Sequence, residues 1–97
     1  MEVVIEKKEN KMNCCVTGKI DTVTSTELQK KVDLSDVTDV TFDLSNVDYL
    51  SSAGLRFFIV CHKTLAAKSG SLKIVKIQDH VKEVFDMVGL DSILDLS

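Results

Sequence analysis

Two adjacent serines, Ser51 and Ser52, stand in front of a small-residue pair, Ala53-Gly54, where an apolar alternation gives way to a helical repeat. Hydroxyls at such a junction can cap the helix, attack as nucleophiles or accept a phosphoryl group. Capping is the first account, because serine is among the best N-cap residues and one of the pair would serve there in any protein. The second hydroxyl exceeds that need. With Ala53 and Gly54 beside it, it is left exposed and another protein's backbone can come close. The nucleophile reading needs the rest of a nucleophile elbow, and Leu50 occupies the place of the first glycine of Gly-x-Ser-x-Gly. The available bases are His62, inside an apolar helical stripe, and His80, at a helix start, and no acid is spaced to orient either. A serine hydrolase is thus the enzyme alternative, and the residues around the serines argue against it.

Cys14, Cys15, Cys61 and His62 are the remaining side chains with reactive chemistry. They contain no C-x-x-C and no His/Cys spacing of a tetrahedral zinc site, and the chain has no glycine-rich phosphate loop. Neighbouring residues of a strand point to opposite faces, so Cys14 and Cys15 read as reduced thiols, and buried cysteine behaves as a small hydrophobe. The reading is therefore a non-enzyme with no metal and no cofactor.

Composition narrows the partners. The chain has 97 residues, 44% of them apolar, with 12 Lys+Arg against 15 Asp+Glu and a formal charge of −3. No basic cluster is present to displace counterions from a phosphate backbone, so no direct contact with nucleic acid is expected. The longest apolar run, Phe57 to Cys61, falls far short of the roughly 20 residues that cross a bilayer, and the opening MEVVIEKKEN is charged. A cytoplasmic protein with no membrane association is the expectation. At this length a domain buries roughly 65% of its unfolded surface, so residues 1–97 read as one domain needing no disulfide or metal.

Elements that would position the serines follow from periodicity. Val3–Lys7 and Lys11–Thr17 read as an antiparallel hairpin, with Met12, Cys14 and Val16 on one face. Thr24-Ser25-Thr26-Glu27 matches a capping box with Val23 and Leu28 as its staple, and opens a helix of two or three turns through Val32. Val40, Phe42 and Leu44 alternate with polar residues in a strand that Ser45 and Asn46 should end. From Ser51 or Ser52 a long helix carries Leu55, Phe58, Ile59, His62, Leu65 and Ala66 toward the sheet and closes at Gly70, read as a left-handed cap. Phe57 and Val60 point elsewhere, and Phe57 is read as a flank of the core. Leu72–Ile77 is a further strand. Asp79 then caps a helix bearing Val81, Val84, Phe85 and Val88, which Gly89 stops, with Phe85 meeting Leu90 across the cap. Residues Ile93 to Leu96 are either an edge strand or a docked tail.

Strands alternating with helices pair in parallel through crossovers, which makes this an α/β layer fold with an antiparallel edge. The ligand-binding edge of such a sheet lies at the carboxyl ends of its strands, where the serines stand.

Gly18-x-Ile20-Asp21 followed by Asp43-Leu44-Ser45-x-Val47-x-Tyr49-Leu50-Ser51-Ser52-Ala53-Gly54-Leu55 resembles the signature of the STAS domain. That family is shared by bacterial anti-sigma factor antagonists and the cytoplasmic tails of sulfate transporters. The resemblance covers almost the whole chain. It implies a STAS-like layer fold, a mixed sheet of four to five strands with an antiparallel edge hairpin and about three main helices. For function it implies an anti-sigma factor antagonist, which binds a serine kinase doubling as an anti-sigma factor and so frees the sigma factor for transcription. One serine at the start of the second helix is phosphorylated to end that binding, and a phosphatase would restore it. Family members commonly read Asp-Ser-Ser/Thr-Gly-Leu there. Aligned on Gly54 and Leu55, this chain has Ser51 in place of the Asp, Ser52 as the first hydroxyl and Ala53 as the second. Ser52 is then the aligned acceptor, with Ser51 as the alternative should the helix begin one residue later.

The partner-binding set implied by the resemblance is Asp21, Asp48, Ser51, Ser52, Ala53, Gly54, Leu55 and Arg56. A phosphate adds about −1.5 to −2 charges, which the helix amino terminus can hold while a desolvated docking face cannot. Asp21, Asp48 and Asp43 would deepen the local negative potential. The family also contains non-phosphorylated adaptors of transporters and lipid-trafficking complexes, which stand as the second reading.

Overall fold

The computed structural model describes residues 1–87 and 89 and the strand backbone of 95–96. In chain order the elements are β1 (Glu2–Lys8), β2 (Lys11–Ile20), α1 (Thr22–Lys31), β3 (Asp39–Leu50), α2 (Ser52–Ala66), β4 (Ser71–Val75), α3 (Asp79–Met87) and β5 (Asp95–Leu96). They form one mixed sheet in the order β1-β2-β3-β4-β5, with β1 antiparallel to β2 and the other pairs parallel. The closing segment therefore contributes an edge strand at Asp95–Leu96. Val88, Leu90, Ile93 and Leu94, to which the sequence assigned a helical stripe, a cap contact and the start of that segment, lie outside the described residues.

The alternation of β2 and β3 has its physical cause in a two-layer packing. Met12, Cys14 and Val16 on β2 and Val40, Phe42 and Leu44 on β3 are buried beneath Leu28 of α1, Phe58 and Leu65 of α2, and Val81 and Phe85 of α3. Phe58 sits at the centre, edge-on to Phe42 at 5.1 Å and near Phe85 at 5.8 Å between centroids. The opposite sheet face stays open: Val4, Glu6, Asn13 and Lys73 are exposed, and Cys15, Thr41, Asp43 and Val75 are half-buried.

Four local expectations are corrected. First, α1 starts earlier than the Thr24–Glu27 pattern suggests. Its N-cap is Asp21, whose Oδ1 accepts from the Thr24 N–H at 3.0 Å while Thr24 Oγ1 accepts from the Asp21 N–H at 2.7 Å. Thr24 also donates to the Lys19 carbonyl at 2.7 Å, tying the helix start to the end of β2, a contact a cap at Thr24 would forgo. Val23 is left 69% exposed and staples nothing to the core.

Second, β3 does not stop at Ser45-Asn46. It continues to Leu50 because Val47 and Leu50 keep burying side chains, helped by register shifts against β2 at Cys15/Thr17 and Gly18/Lys19. Third, α2 is rotated toward α1. Phe57 and Cys61 are buried, while Ile59 and His62 are half-buried and Ala66 is exposed, since α2 packs against a neighbouring helix as well as the sheet. Phe57 lies edge-on to Phe42 at 5.9 Å.

Fourth, Gly70 is not the left-handed residue; Ser69 is, at φ 59°. Gly70 is needed for space, because a Cβ there would stand 2.0 Å from the Thr38 carbonyl oxygen. Two shorter differences follow: β4 ends at Val75, and Asp79 is the first helical residue of α3, in its first turn, where a negative charge suits the helix dipole.

Candidate functional site

The carboxyl ends of β2 and β3 lie side by side, and each turns directly into a helix. The Ser51 N–H donates to the Ile20 carbonyl at 2.9 Å, joining the two turns across the sheet edge. Gly54 completes that junction. A Cβ on it would meet Leu50 Cδ1 at 2.5 Å and Ile20 Cγ2 at 2.8 Å, so the glycine lets the first turn of α2 settle on β2 and β3. The close approach expected of an outside partner is thus occupied internally.

The two hydroxyls have different jobs. Ser51 is the N-cap, in extended conformation, and its Oγ accepts from the Gly54 N–H at 3.2 Å. Ser52 is the first helical residue; it is exposed, and its hydroxyl makes no hydrogen bond among the described residues. α2 has no acid in its first turn, so its amino-terminal partial charge is uncompensated within the helix.

Of the other residues in the expected set, Asp21 and Ala53 are half-buried, and Asp48 and Arg56 are exposed. Gly54 and Leu55 are buried, with Leu55 only 7% exposed, so these two members of the set pack the edge from within. The Thr24 N–H hydrogen bond holds the Asp21 carboxyl below its ordinary range and keeps it ionised. Asp43 is no part of the edge. It lies on the open sheet face between Cys15 and Val75, accepts from the Ser45 N–H at 2.9 Å and has Lys76 at 3.9 Å, so its charge is spent locally.

Among the described residues, neither histidine hydrogen-bonds to Ser51 or Ser52. His80 Nε2 contacts the Asp48 carbonyl oxygen at 2.6 Å; that oxygen can only accept, so the nitrogen carries the proton and fixes the ring's tautomer. Next to it, Gln78 Nε2 donates to the Ser45 carbonyl at 2.9 Å, so the loop before α3 braces the distal half of β3. His62 is half-buried on α2. All three cysteines are free, and burial raises the Cys14 and Cys61 thiols to about 12, which leaves them neutral. No group of three His, Cys, Asp or Glu side chains among the described residues converges on a metal position, and no described helix is long and apolar enough to cross a membrane.

Two further exposed side chains, absent from the expected set, lie in the elements that form these turns. Val23, in the first turn of α1, and Tyr49, paired with Lys19 near the end of β3, are 69% and 48% exposed. Tyr49 had a signal, an aromatic residue beside a turn that no alternation buries, whereas Val23 was read as a staple to Leu28.

A mixed sheet ending in paired strand-to-helix turns, with a serine displayed on the second, defines a class. Residues 2–97 match the STAS domain, and the chain belongs to that family. It is 31% identical to BtrV of Bordetella bronchiseptica, covering 100% of this chain and 86% of that protein. It is 30% identical to the anti-sigma-B factor antagonist of Bacillus subtilis strain 168, covering 100% and 91%. Among solved structures, the anti-sigma factor antagonist SpoIIAA superposes in its unphosphorylated form with a TM-score of 0.80 at 14% identity, covering 99% of this chain and 87% of the other. The phosphorylated form of Bacillus SpoIIAA gives 0.79 at 15% identity, covering 99% and 91%, so the same fold accommodates both states of that protein.

Proposed function

We propose that residues 1–97 act as one STAS domain, a cytoplasmic, non-catalytic anti-sigma factor antagonist. Its partner is an anti-sigma factor that is also a serine kinase, and docking there releases the sigma factor. The observation that carries the reading is the division of labour between the serines: Ser51 spends its hydroxyl on the cap, and Ser52 one residue on holds an exposed hydroxyl with no hydrogen bond among the described residues. In the modification, Ser52 Oγ attacks the γ-phosphorus of ATP, the bond to the β-phosphate oxygen breaks, ADP leaves, and the hydroxyl proton passes to the kinase.

The physics supports a switch that leaves the fold intact. At the first turn of α2 the new dianion meets free backbone N–H groups and the positive end of the dipole, and Arg56 stands at i+4, within side-chain reach. A docked partner meets the same dianion in a desolvated contact already lined by Asp21 and Asp48. Val23 and Tyr49 supply the apolar anchors of that contact. A phosphatase completes the cycle.

The test is incubation with the cognate kinase and ATP, followed by mass-spectrometric mapping. Phosphate on Ser52 is expected. Modification at Ser51 alone, or none while the kinase modifies a control substrate, would overturn the assignment.

A further inference from the structure

The distal half of β3 reaches the serines through two irregularities. Between Asp43 and Asn46 the strand has two residues where β2 has one, and between Val47 and Tyr49 it has Asp48 where β2 has none. Each bulge leaves two consecutive residues out of the core, Ser45 with Asn46 and Asp48 with Tyr49, while Leu44, Val47 and Leu50 stay buried. Tyr49 is the residue most affected. By plain alternation from Val47 it would face the helices and Leu50 would face outward; the extra residue at Asp48 leaves Tyr49 48% exposed and Leu50 only 5%. Ser51, next in the chain, then brings its N–H to the Ile20 carbonyl at 2.9 Å.

Both bulges lie where β3 has lost a neighbour. Its pairing with β4 ends at Asp43 and Val75, and past that point no strand among the described residues flanks it on that side. The chain leaves β4 through Lys76, left-handed at φ 55°, and crosses toward β3. There Gln78 Nε2 donates to the Ser45 carbonyl at 2.9 Å, and His80 Nε2 meets the Asp48 carbonyl at 2.6 Å. The carbonyls caught belong to the first outward residue of each bulge, so side chains replace the missing ladder at the two points where the strand is irregular. Gln78 is anchored in turn. Its own carbonyl accepts from the Val81 and Lys82 N–H groups at 3.0 and 2.9 Å, opening α3, and Val81 and Phe85 hold that helix in the core.

We propose that Gln78 and His80 are positioning residues of the docking edge: they lock the two bulges of β3 and so hold Tyr49 outward and Ser51 in register with Ile20. This rests on the antagonist function proposed for that edge. Without the clamp, the end of β3 is free to slip by one residue, which exchanges Tyr49 and Leu50, and a partner must then order the edge on docking, at a cost in affinity. Once docked, the Ser52 hydroxyl stands as it does in the wild type, so the loss falls on docking and not on phosphoryl transfer.

The test compares the full chain with His80→Phe, with Gln78→Met combined with His80→Phe, and with His80→Gln. The first two keep side-chain bulk and remove donors; the last keeps a donor. Dispersed amide spectra establish that the variants fold. Hydrogen exchange followed by NMR reads the clamp in the isolated chain, with Phe42, paired evenly on both sides, as the reference for overall stability. Relative to Phe42, the Ser51 N–H is expected to exchange at least about tenfold faster in the double variant and about threefold faster in His80→Phe. With the cognate kinase and ATP, KM for the double variant is expected to rise about tenfold while kcat stays within about twofold. His80→Gln is expected to match the wild type in both measurements. Equal acceleration at Ser51 and Phe42, an unchanged KM for the double variant, or His80→Gln behaving as His80→Phe would each overturn the clamp. A wild-type chain that the kinase leaves unmodified would overturn the antagonist reading instead, and the exchange ratio would still decide whether the clamp exists.

Discussion

The starts of α1 and α2 are neighbours with the same architecture, and they end differently. Each follows a strand of the parallel pair and opens on a polar N-cap, and the Ile20 carbonyl joins them through the Ser51 N–H. α1 is closed by a carboxylate: Asp21 satisfies the Thr24 N–H, and Thr24 answers with its own hydroxyl. α2 is closed by a neutral hydroxyl, and the next hydroxyl has no hydrogen bond among the described residues. A helix start already facing a fixed negative charge has little to offer a second anion. One capped without charge keeps its field available. The modification proposed at Ser52 relies on this difference between the two helix starts.

Introducing charge at the second start should break this contrast most severely. Ser52→Asp is expected to weaken docking to the kinase by about 3 kcal/mol, roughly a hundredfold, and Ser52→Ala to keep it within about threefold, by titration calorimetry. Equal affinities for the two would remove the electrostatic account. The junction between the two starts should come next. Gly54→Ala forces a Cβ against Leu50 and Ile20 and is expected to cost about 2 kcal/mol in urea unfolding.

Removing the neutral cap with Ser51→Ala should lower stability by about 1 kcal/mol, while Ser51→Asp, which makes α2 resemble α1, should restore it. For the charged cap the expectation is a pH signature. The folded-state pKa of Asp21 is depressed below its unfolded value near 3.8, so its contribution is present above that pH and is lost as pH falls through the folded value. The stability difference between the wild type and Asp21→Asn should therefore shrink on acidification through that range, as read by urea unfolding at successive pH values.

The sheet and its helices were legible because one face of each element is buried. Met12, Cys14 and Val16, and then Val40, Phe42 and Leu44, alternate cleanly because helices cover that face alone. The far half of β3 was not legible, since Leu44, Val47 and Leu50 are spaced by three, and only the bulged register against β2 makes that spacing a strand. The start of α1 was ambiguous because Asp21–Thr24 and Thr24–Glu27 both satisfy capping chemistry. The deciding contact, Thr24 to the Lys19 carbonyl, depends on where β2 ends. The orientation of α2 depended on α1, a neighbour no periodicity within α2 reports. The serine pair stood out by residue type alone. Which of the two caps α2 is decided by one hydrogen bond, from the Gly54 N–H, which no pattern encodes.

The open face of the sheet has a practical consequence. Cys14 and Cys61 are sealed in the core with thiols at about 12, whereas Cys15 is half-buried on the uncovered face. A maleimide fluorophore will therefore attach at Cys15 first, on the side turned away from the helices. The wild-type sequence thus carries its own labelling handle, and binding at the serine edge can be followed by fluorescence anisotropy without engineering a cysteine.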